Sequence, residues 1–102
     1  MKLWTAELAA NTPALYETEQ VRSEDKTVTA KFFALASAWT WYVVEASEED
    51  REVLFFGYVD TGDECSEWGY FQLSELESLQ WRGILRVERD LHFEPKSFGS
   101  LK

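Results

Sequence analysis

The sequence is poor in the residues from which most catalytic and metal sites are built. Its 102 residues include one cysteine, Cys65, and one histidine, His92. A single cysteine permits no intramolecular disulfide, and one cysteine with one histidine cannot complete a conventional zinc site. The scarcity of cysteine fits a reducing compartment, so we expect a cytoplasmic protein.

Long apolar runs and glycine-rich loops are also missing. The longest apolar run, Val53–Val59, contains Gly57 and is far shorter than the roughly 18 residues that cross a membrane. The five glycines are scattered, so the sequence has no phosphate-binding loop. The N-terminus lacks the basic-then-apolar layout of a signal peptide. We therefore expect a protein that has no membrane partner and no nucleotide cofactor.

The remaining candidates for catalysis are weak. At a strand position beside an aromatic residue, His92 is typical of a packed or half-exposed side chain rather than a base. Cys65 lies among carboxylates, which disfavour the thiolate that a nucleophile needs. Asp60, Asp63 and Glu64 lack the alternating spacing of a calcium-binding loop. The sequence therefore favours a protein that is not an enzyme and holds no metal or cofactor.

Apolar and aromatic residues are abundant, at 45% and 16% of the chain. This composition argues against disorder, and the length suits one compact domain over residues 1–102. Five segments show the alternation or the β-branched and aromatic content of strands. From Thr27 onward, Val28, Ala30 and Phe32 fall on one face. The other four segments are Trp39–Val44, Val53–Val59, Trp68–Leu73 and Ile84–Phe93.

Two short helices complete the predicted fold. Leu3–Ala10 is compatible with a helix, and Thr12 followed by Pro13 predicts a helix start that continues through Tyr16. Ser74–Glu77 matches a capping box, which places Leu76 and Leu79 against the sheet. We therefore predict an α+β fold in which a four- to five-stranded, mostly antiparallel meander carries a short N-terminal helix and a short helix after the fourth strand.

The negative charge is concentrated in one segment. Residues 1–44 hold five acids and four bases, residues 45–67 hold nine and one, and residues 68–102 hold five and five. The corresponding charges are −1, −8 and 0, which account for the net −9. The nine acids of the middle segment are Glu45, Glu48, Glu49, Asp50, Glu52, Asp60, Asp63, Glu64 and Glu67. The sequence leaves open whether they form one patch, because consecutive turns of a meander lie at opposite ends of the sheet.

This acidic segment has two interpretations. A chain of this charge does not grip nucleic acid directly, but closely spaced carboxylates compete for a basic groove built for nucleic acid. Tyr58, Trp68 and Tyr70 lie beside the acidic turns and would anchor such a contact. The alternative is a general protein-interaction domain that uses exposed aromatic residues, with the acidic rim serving only solubility. A monomer is the favoured oligomeric state in both cases.

Six blocks of sequence carry a resemblance to a known family. They are Thr12–Tyr16, Lys31–Phe33, Trp39–Val43, Phe55–Gly57, Gly69–Leu76 and Val87–Pro95. In this order they resemble the family of small bacterial proteins catalogued as domain of unknown function 2958, over roughly Thr12 to Pro95.

The resemblance supplies no activity and no catalytic residue. Members of that family are short and are often encoded on plasmids, integrated elements and phages, which implies a mobile-element accessory. By analogy with acidic inhibitors of bacterial defence, we expect a non-enzymatic inhibitor of anti-CRISPR or anti-restriction type. Its partner would be a nucleic-acid-binding host protein such as a CRISPR effector or a restriction enzyme.

Overall fold

A five-stranded antiparallel sheet forms the centre of the protein. The structure is a computed structural model that describes residues 2–79 and 86–101. The described strands are β1 (Thr27–Val28), β2 (Ala30–Ala34), β3 (Thr40–Glu49), β4 (Glu52–Asp60), β5 (Glu67–Gln72), β6 (Val87–Arg89) and β7 (Lys96–Ser97). The large sheet has the order β5-β4-β3-β2-β6, and β1 pairs with β7 separately. The predicted α+β fold with an antiparallel sheet is confirmed.

Strands β2 to β5 form the predicted meander, and β6 then returns to the opposite edge of the sheet beside β2. The described part of this last strand is shorter than the predicted Ile84–Phe93 segment. Ile84 and Leu85, where the prediction began, lie outside the described residues.

The N-terminal helix, α1, spans Ala6–Ala10, and its first turn is capped by the hydroxyl of Thr5, which accepts the Leu8 N–H at 3.2 Å. The predicted helix from Pro13 through Tyr16 is wrong, because these residues form turns and Tyr16 has a φ of 72°. The Thr12 hydroxyl donates to the Leu8 carbonyl at 2.7 Å, so it closes α1 rather than starting another helix. No helix in the described chain is long and apolar enough to cross a membrane.

The second helix, α2, spans Leu73–Ser78 and begins earlier than the predicted capping box. Gln72 is the N-cap, and its backbone N–H donates to the Glu75 carboxylate at 2.8 Å. The Ser74 hydroxyl donates instead to the Glu52 carboxylate. Leu76 is buried in the core and Leu79 packs against it, as predicted.

Both faces of the sheet carry hydrophobic clusters. On the first face, Trp4 from the N-terminal segment and Leu76 from α2 cover Phe55 and its neighbours, with 4.9 Å between the Trp4 and Phe55 ring centroids. On the second face, Val28, Val44 and Phe98 form a smaller buried cluster. Phe98 belongs to a C-terminal 3-10 helix, Phe98–Leu101, that lies over this face.

One predicted face assignment is wrong. Val28 packs in the cluster of the second face, whereas Ala30 and Phe32 are in the cluster of the first face. Thr29 separates β1 from β2, and its N–H donates to the Val43 carbonyl at 2.9 Å. The break resets the alternation of side chains, because continuous strands keep residues two apart on the same face.

Candidate partner-binding surface

The β3–β4 hairpin carries the first group of acidic residues, which we call the hairpin cluster: Glu48, Glu49, Asp50 and Glu52. Asp50 and Arg51 form the two-residue turn with φ values of 51° and 69°. Positive φ at both central residues is the mark of a type I′ hairpin, which normally uses Asn and Gly. Glu49 and Glu52 are directly opposite each other across the strands. Like charges in this position destabilise a hairpin.

Three of the four carboxylates in the hairpin cluster are exposed. Glu52 is tied into the fold, because its carboxylate accepts hydrogen bonds from the Ser74 hydroxyl and, at 3.2 Å, from the Val53 N–H. Glu48, Glu49 and Asp50 face solvent. The ion pairs found among the described residues are Arg22–Glu24, Lys31–Asp90 and Arg86–Glu88, so none involves the acidic segment.

The β4–β5 connection carries the second group, which we call the loop cluster: Asp60, Asp63, Glu64 and Glu67. Two of its carboxylates organise the loop. Asp60 accepts the Gly62 N–H at 2.9 Å, and Asp63 accepts the Thr61 hydroxyl at 2.6 Å and the Cys65 N–H at 2.8 Å. These bonds to Thr61 and Cys65 lower the pKa of Asp63. Glu64 and Glu67 are exposed.

Strand β4 separates the two acidic clusters. The hairpin cluster lies at the start of β4 and the loop cluster at its end. At about 3.3 Å per residue, the strand holds them roughly 26 Å apart. The segment that is acidic in sequence is therefore divided in space between two ends of the sheet.

Glu45 does not belong to either cluster, although the sequence groups it with them. Its side chain is buried, with 3% of its surface exposed. The carboxylate accepts the N–H of Tyr16 at 2.8 Å and that of Thr18 at 3.0 Å, together with the Thr18 hydroxyl. The Lys26 ammonium donates to the Thr18 hydroxyl oxygen at 2.9 Å.

The pKa of Glu45 is set by opposing effects. Burial raises it, but the hydrogen bonds from Thr18 and Tyr16 and the charge of Lys26 outweigh burial, so the pKa lies below its ordinary value. Glu45 therefore anchors the segment that follows α1, and it takes no part in an exposed acidic surface.

The three aromatic residues named from the sequence differ in exposure. Tyr58 and Trp68 are partly buried on the second face, where Phe98 packs against both at centroid distances of 4.9 and 4.7 Å. Tyr70 is 53% exposed. Its pKa is raised, mainly by the neighbouring Tyr16 hydroxyl. Tyr16 is itself 60% exposed, and sequence reasoning missed it because it placed this residue in a helix.

Cys65 and His92 are both exposed, and Cys65 forms no disulfide. Across residues 2–79 and 86–101, no group of three His, Cys, Asp or Glu side chains is placed to hold a metal ion. The exposed residues among those predicted to bind a partner are Glu48, Glu49, Asp50, Asp63, Glu64, Glu67 and Tyr70.

These features define a small acidic α+β protein in which two groups of carboxylates lie at the two ends of strand β4 of an antiparallel sheet. The chain belongs to the family described as "Protein of unknown function (DUF2958)", which matches residues 3–100. No curated protein and no solved structure matches the chain.

Proposed function

We propose that this protein is a non-enzymatic inhibitor that occupies the basic, nucleic-acid-binding surface of a host protein, such as a CRISPR effector or a restriction enzyme. One observation carries the proposal. Apart from Asp63, which is exposed but hydrogen-bonded within its loop, five exposed carboxylates lie at the two ends of β4 without a cationic partner among the described residues. They are those of Glu48, Glu49, Asp50, Glu64 and Glu67.

The spacing of the two clusters suits a groove that binds a nucleic acid. Such grooves gain affinity by neutralising closely spaced phosphates along a backbone. One turn of duplex DNA is about 34 Å long. Two acidic ends roughly 26 Å apart can therefore contact separate basic positions of one groove. The whole molecule measures 40 × 33 × 24 Å, so both contacts fit within its length.

The geometry of the hairpin cluster gives further support. The turn places Asp50 and Arg51 in the left-handed region, and the adjoining pair opposes Glu49 to Glu52. Both features cost local stability. An asparagine–glycine turn flanked by lysine would avoid these costs in stability. A role in binding would explain why the acidic residues stand there instead.

The test compares binding by charge-neutralised variants. The hairpin variant combines Glu48→Gln, Glu49→Gln and Asp50→Asn, and the loop variant combines Glu64→Gln and Glu67→Gln. Asparagine tolerates the positive φ at position 50, so the turn is kept. Each variant and the wild type are used to capture partners from host lysate at low and moderate salt, with mass spectrometry of what is retained.

The matched control neutralises acids outside the two clusters: Glu7→Gln, Asp25→Asn and Glu94→Gln, which are exposed in the structure. We expect a nucleic-acid-binding protein to be captured by the wild type and the control, and to be lost with the hairpin variant or at higher salt. A partner that all four proteins retain equally would contradict the proposal, because charge position would then not matter.

Exposed aromatic residues favour a second candidate function, a protein-interaction domain in which charge serves solubility. Tyr16 and Tyr70 are adjacent and more than half exposed. Exposed tyrosines often supply much of the binding free energy of a protein–protein interface. Under this alternative, Tyr70→Ala would abolish capture of the partner, and neither added salt nor the hairpin variant would weaken it.

A further inference from the structure

Strand β5 forms one edge of the large sheet. It pairs with β4 on one side, and no described strand pairs with its other side. An exposed edge strand presents unpaired backbone N–H and C=O groups, which can take up another extended chain.

The hydrogen bonds show which residues of β5 face outward. The Gln72 N–H donates to Glu75 and not to β4. In an antiparallel sheet, each residue directs its N–H and C=O groups to the same neighbouring strand, and consecutive residues alternate between the two sides. Trp68 and Tyr70 therefore direct their N–H and C=O groups away from β4.

The other side of the sheet gives the same alternation. There the Ala34 N–H donates to the Trp39 carbonyl at 3.0 Å. When this alternation is followed through the register of β3 and β4, three residues of β5 form the backbone hydrogen bonds with β4: Glu67, Gly69 and Phe71. The outer edge thus offers two complete donor–acceptor positions, Trp68 and Tyr70.

The surroundings of this edge are acidic at both ends. Glu64 and Glu67 lie where β5 begins, and Glu75 and Glu77 lie in α2, where β5 ends. All four are exposed. Residues 52–79 contain no lysine or arginine. Lysine is a common device that keeps other chains off an edge strand, and it is missing here.

The middle of β5 is sparsely covered on its faces. A Cβ atom added at Gly69 would meet no atom within 4 Å. Tyr70 is 53% exposed beside it. No side chain of the described residues therefore covers the face of β5 at Gly69, between the two outward-directed positions Trp68 and Tyr70.

We infer that an extended, lysine- or arginine-bearing segment of the partner adds to the outer edge of β5 as a further strand. This inference rests on the proposed function and deepens it, because it names the chemistry of the partner segment and the manner of its binding. A second copy of this chain is a poorer occupant, since each copy carries a net charge of −9.

The test uses a short synthetic peptide of alternating lysine and valine, titrated to millimolar concentration into the full-length protein. Amide hydrogen exchange and chemical shifts are followed by NMR. We expect the Trp68 and Tyr70 amides to be unprotected in the free protein and to gain protection with the peptide. A peptide with alternate backbone amides N-methylated should bind at least about tenfold more weakly, because each lost net hydrogen bond costs about 1 kcal/mol.

A pair of variants tests the same edge from the side of the protein. Tyr70→Pro removes an outward N–H, a position at which proline is tolerated in an edge strand, and Tyr70→Val removes only the phenol. We expect the proline variant to lose about fivefold in affinity for the peptide relative to the valine variant, because it lacks one hydrogen bond. If the proline variant does not fold, comparing the N-methylated and unmodified peptides on the wild-type protein tests the same prediction.

The outcomes separate this inference from the proposed function. Binding of the lysine peptide without protection of Trp68 and Tyr70, or no binding at all, would overturn the inference and leave the capture experiment on the two acidic clusters unaffected. Equal binding of a peptide with glutamate in place of lysine would show that the edge does not select positive charge. That result would overturn the basic-segment assignment and remove support from the electrostatic proposal as well.

Discussion

At the scale of single residues, Glu45 has a structural role that differs from that of the exposed glutamates near it in the sequence. The sequence places it in the same acidic run as Glu48 and Glu49, and composition gives no reason to separate them. In the fold it is buried and holds two backbone amides of the segment after α1. Burial depends on where Tyr16 and Thr18 come to lie, and these residues are far from Glu45 along the chain.

We predict that Glu45→Gln lowers the free energy of unfolding by about 2 kcal/mol, because the amide leaves a buried hydrogen-bond donor without its acceptor. The difference should depend on pH. The folded-state pKa of Glu45 is below its ordinary value, so the stabilisation is present above the unfolded-state pKa of about 4.5 and is lost as pH falls through the folded-state pKa.

The measurement is urea unfolding of both proteins at pH 7 and at several values below 4.5. The control is Glu48→Gln, an exposed residue of the same strand, for which we expect a change within about 0.5 kcal/mol. A difference between wild type and Glu45→Gln that stays constant down to the most acidic pH would contradict the assigned role of the ionised carboxylate.

At the scale of elements, the β3–β4 pair depends on a glycine beside an irregularity. The register shifts between Val43 and Glu45, which leaves Val44 as an extra residue in β3. Opposite this bulge, Gly57 lies so close to Tyr42 that an added Cβ would be 1.8 Å from the Tyr42 carbonyl oxygen. The close approach requires glycine, because the atom in the way belongs to the backbone.

We therefore predict that Gly57→Ala destabilises the protein by about 3 kcal/mol, since the backbone of two paired strands must move apart. Gly69→Ala is the matched control, because its added methyl group meets nothing within 4 Å. Replacing glycine at such a position should leave stability unchanged or raise it by about 0.5 kcal/mol. Thermal and urea unfolding of the two variants measure the contrast. A Gly57→Ala variant as stable as the Gly69→Ala variant would contradict the close approach of the two strands.

Sequence patterns correctly predicted the strands whose own residues strongly favour that structure. Val53–Val59 and Trp68–Leu73 are close to the observed β4 and β5, because their β-branched and aromatic residues favour strands. The pattern at Thr12 and Pro13 was misleading, since the Thr12 hydroxyl bonds back to α1 and the Tyr16 N–H is taken by Glu45. The first bond is local but places Thr12 at the end of one helix instead of the start of another. Glu45 is 29 residues from Tyr16 along the chain, so no local rule identifies the second bond.

At the scale of the whole molecule, topology decides what the acidic segment becomes. A continuous acidic stretch wraps around β4, and antiparallel pairing sends its two halves to opposite ends of the strand. The sequence therefore predicted the amount of charge and its location along the chain. The sequence left open whether these acids form one patch. It could not predict that Glu45 is buried, because burial depends on packing.

The most direct test of the central claim is competition between this protein and a nucleic acid for the captured partner. Fluorescence anisotropy of a labelled nucleic acid bound to that partner is measured as the protein is added, from about 0.1 to 0.5 M salt. We predict that the wild type displaces the nucleic acid, that displacement weakens steeply as salt rises, and that the combined hairpin and loop variant is at least tenfold less effective. A stable complex that holds the partner, the nucleic acid and this protein together would contradict the account.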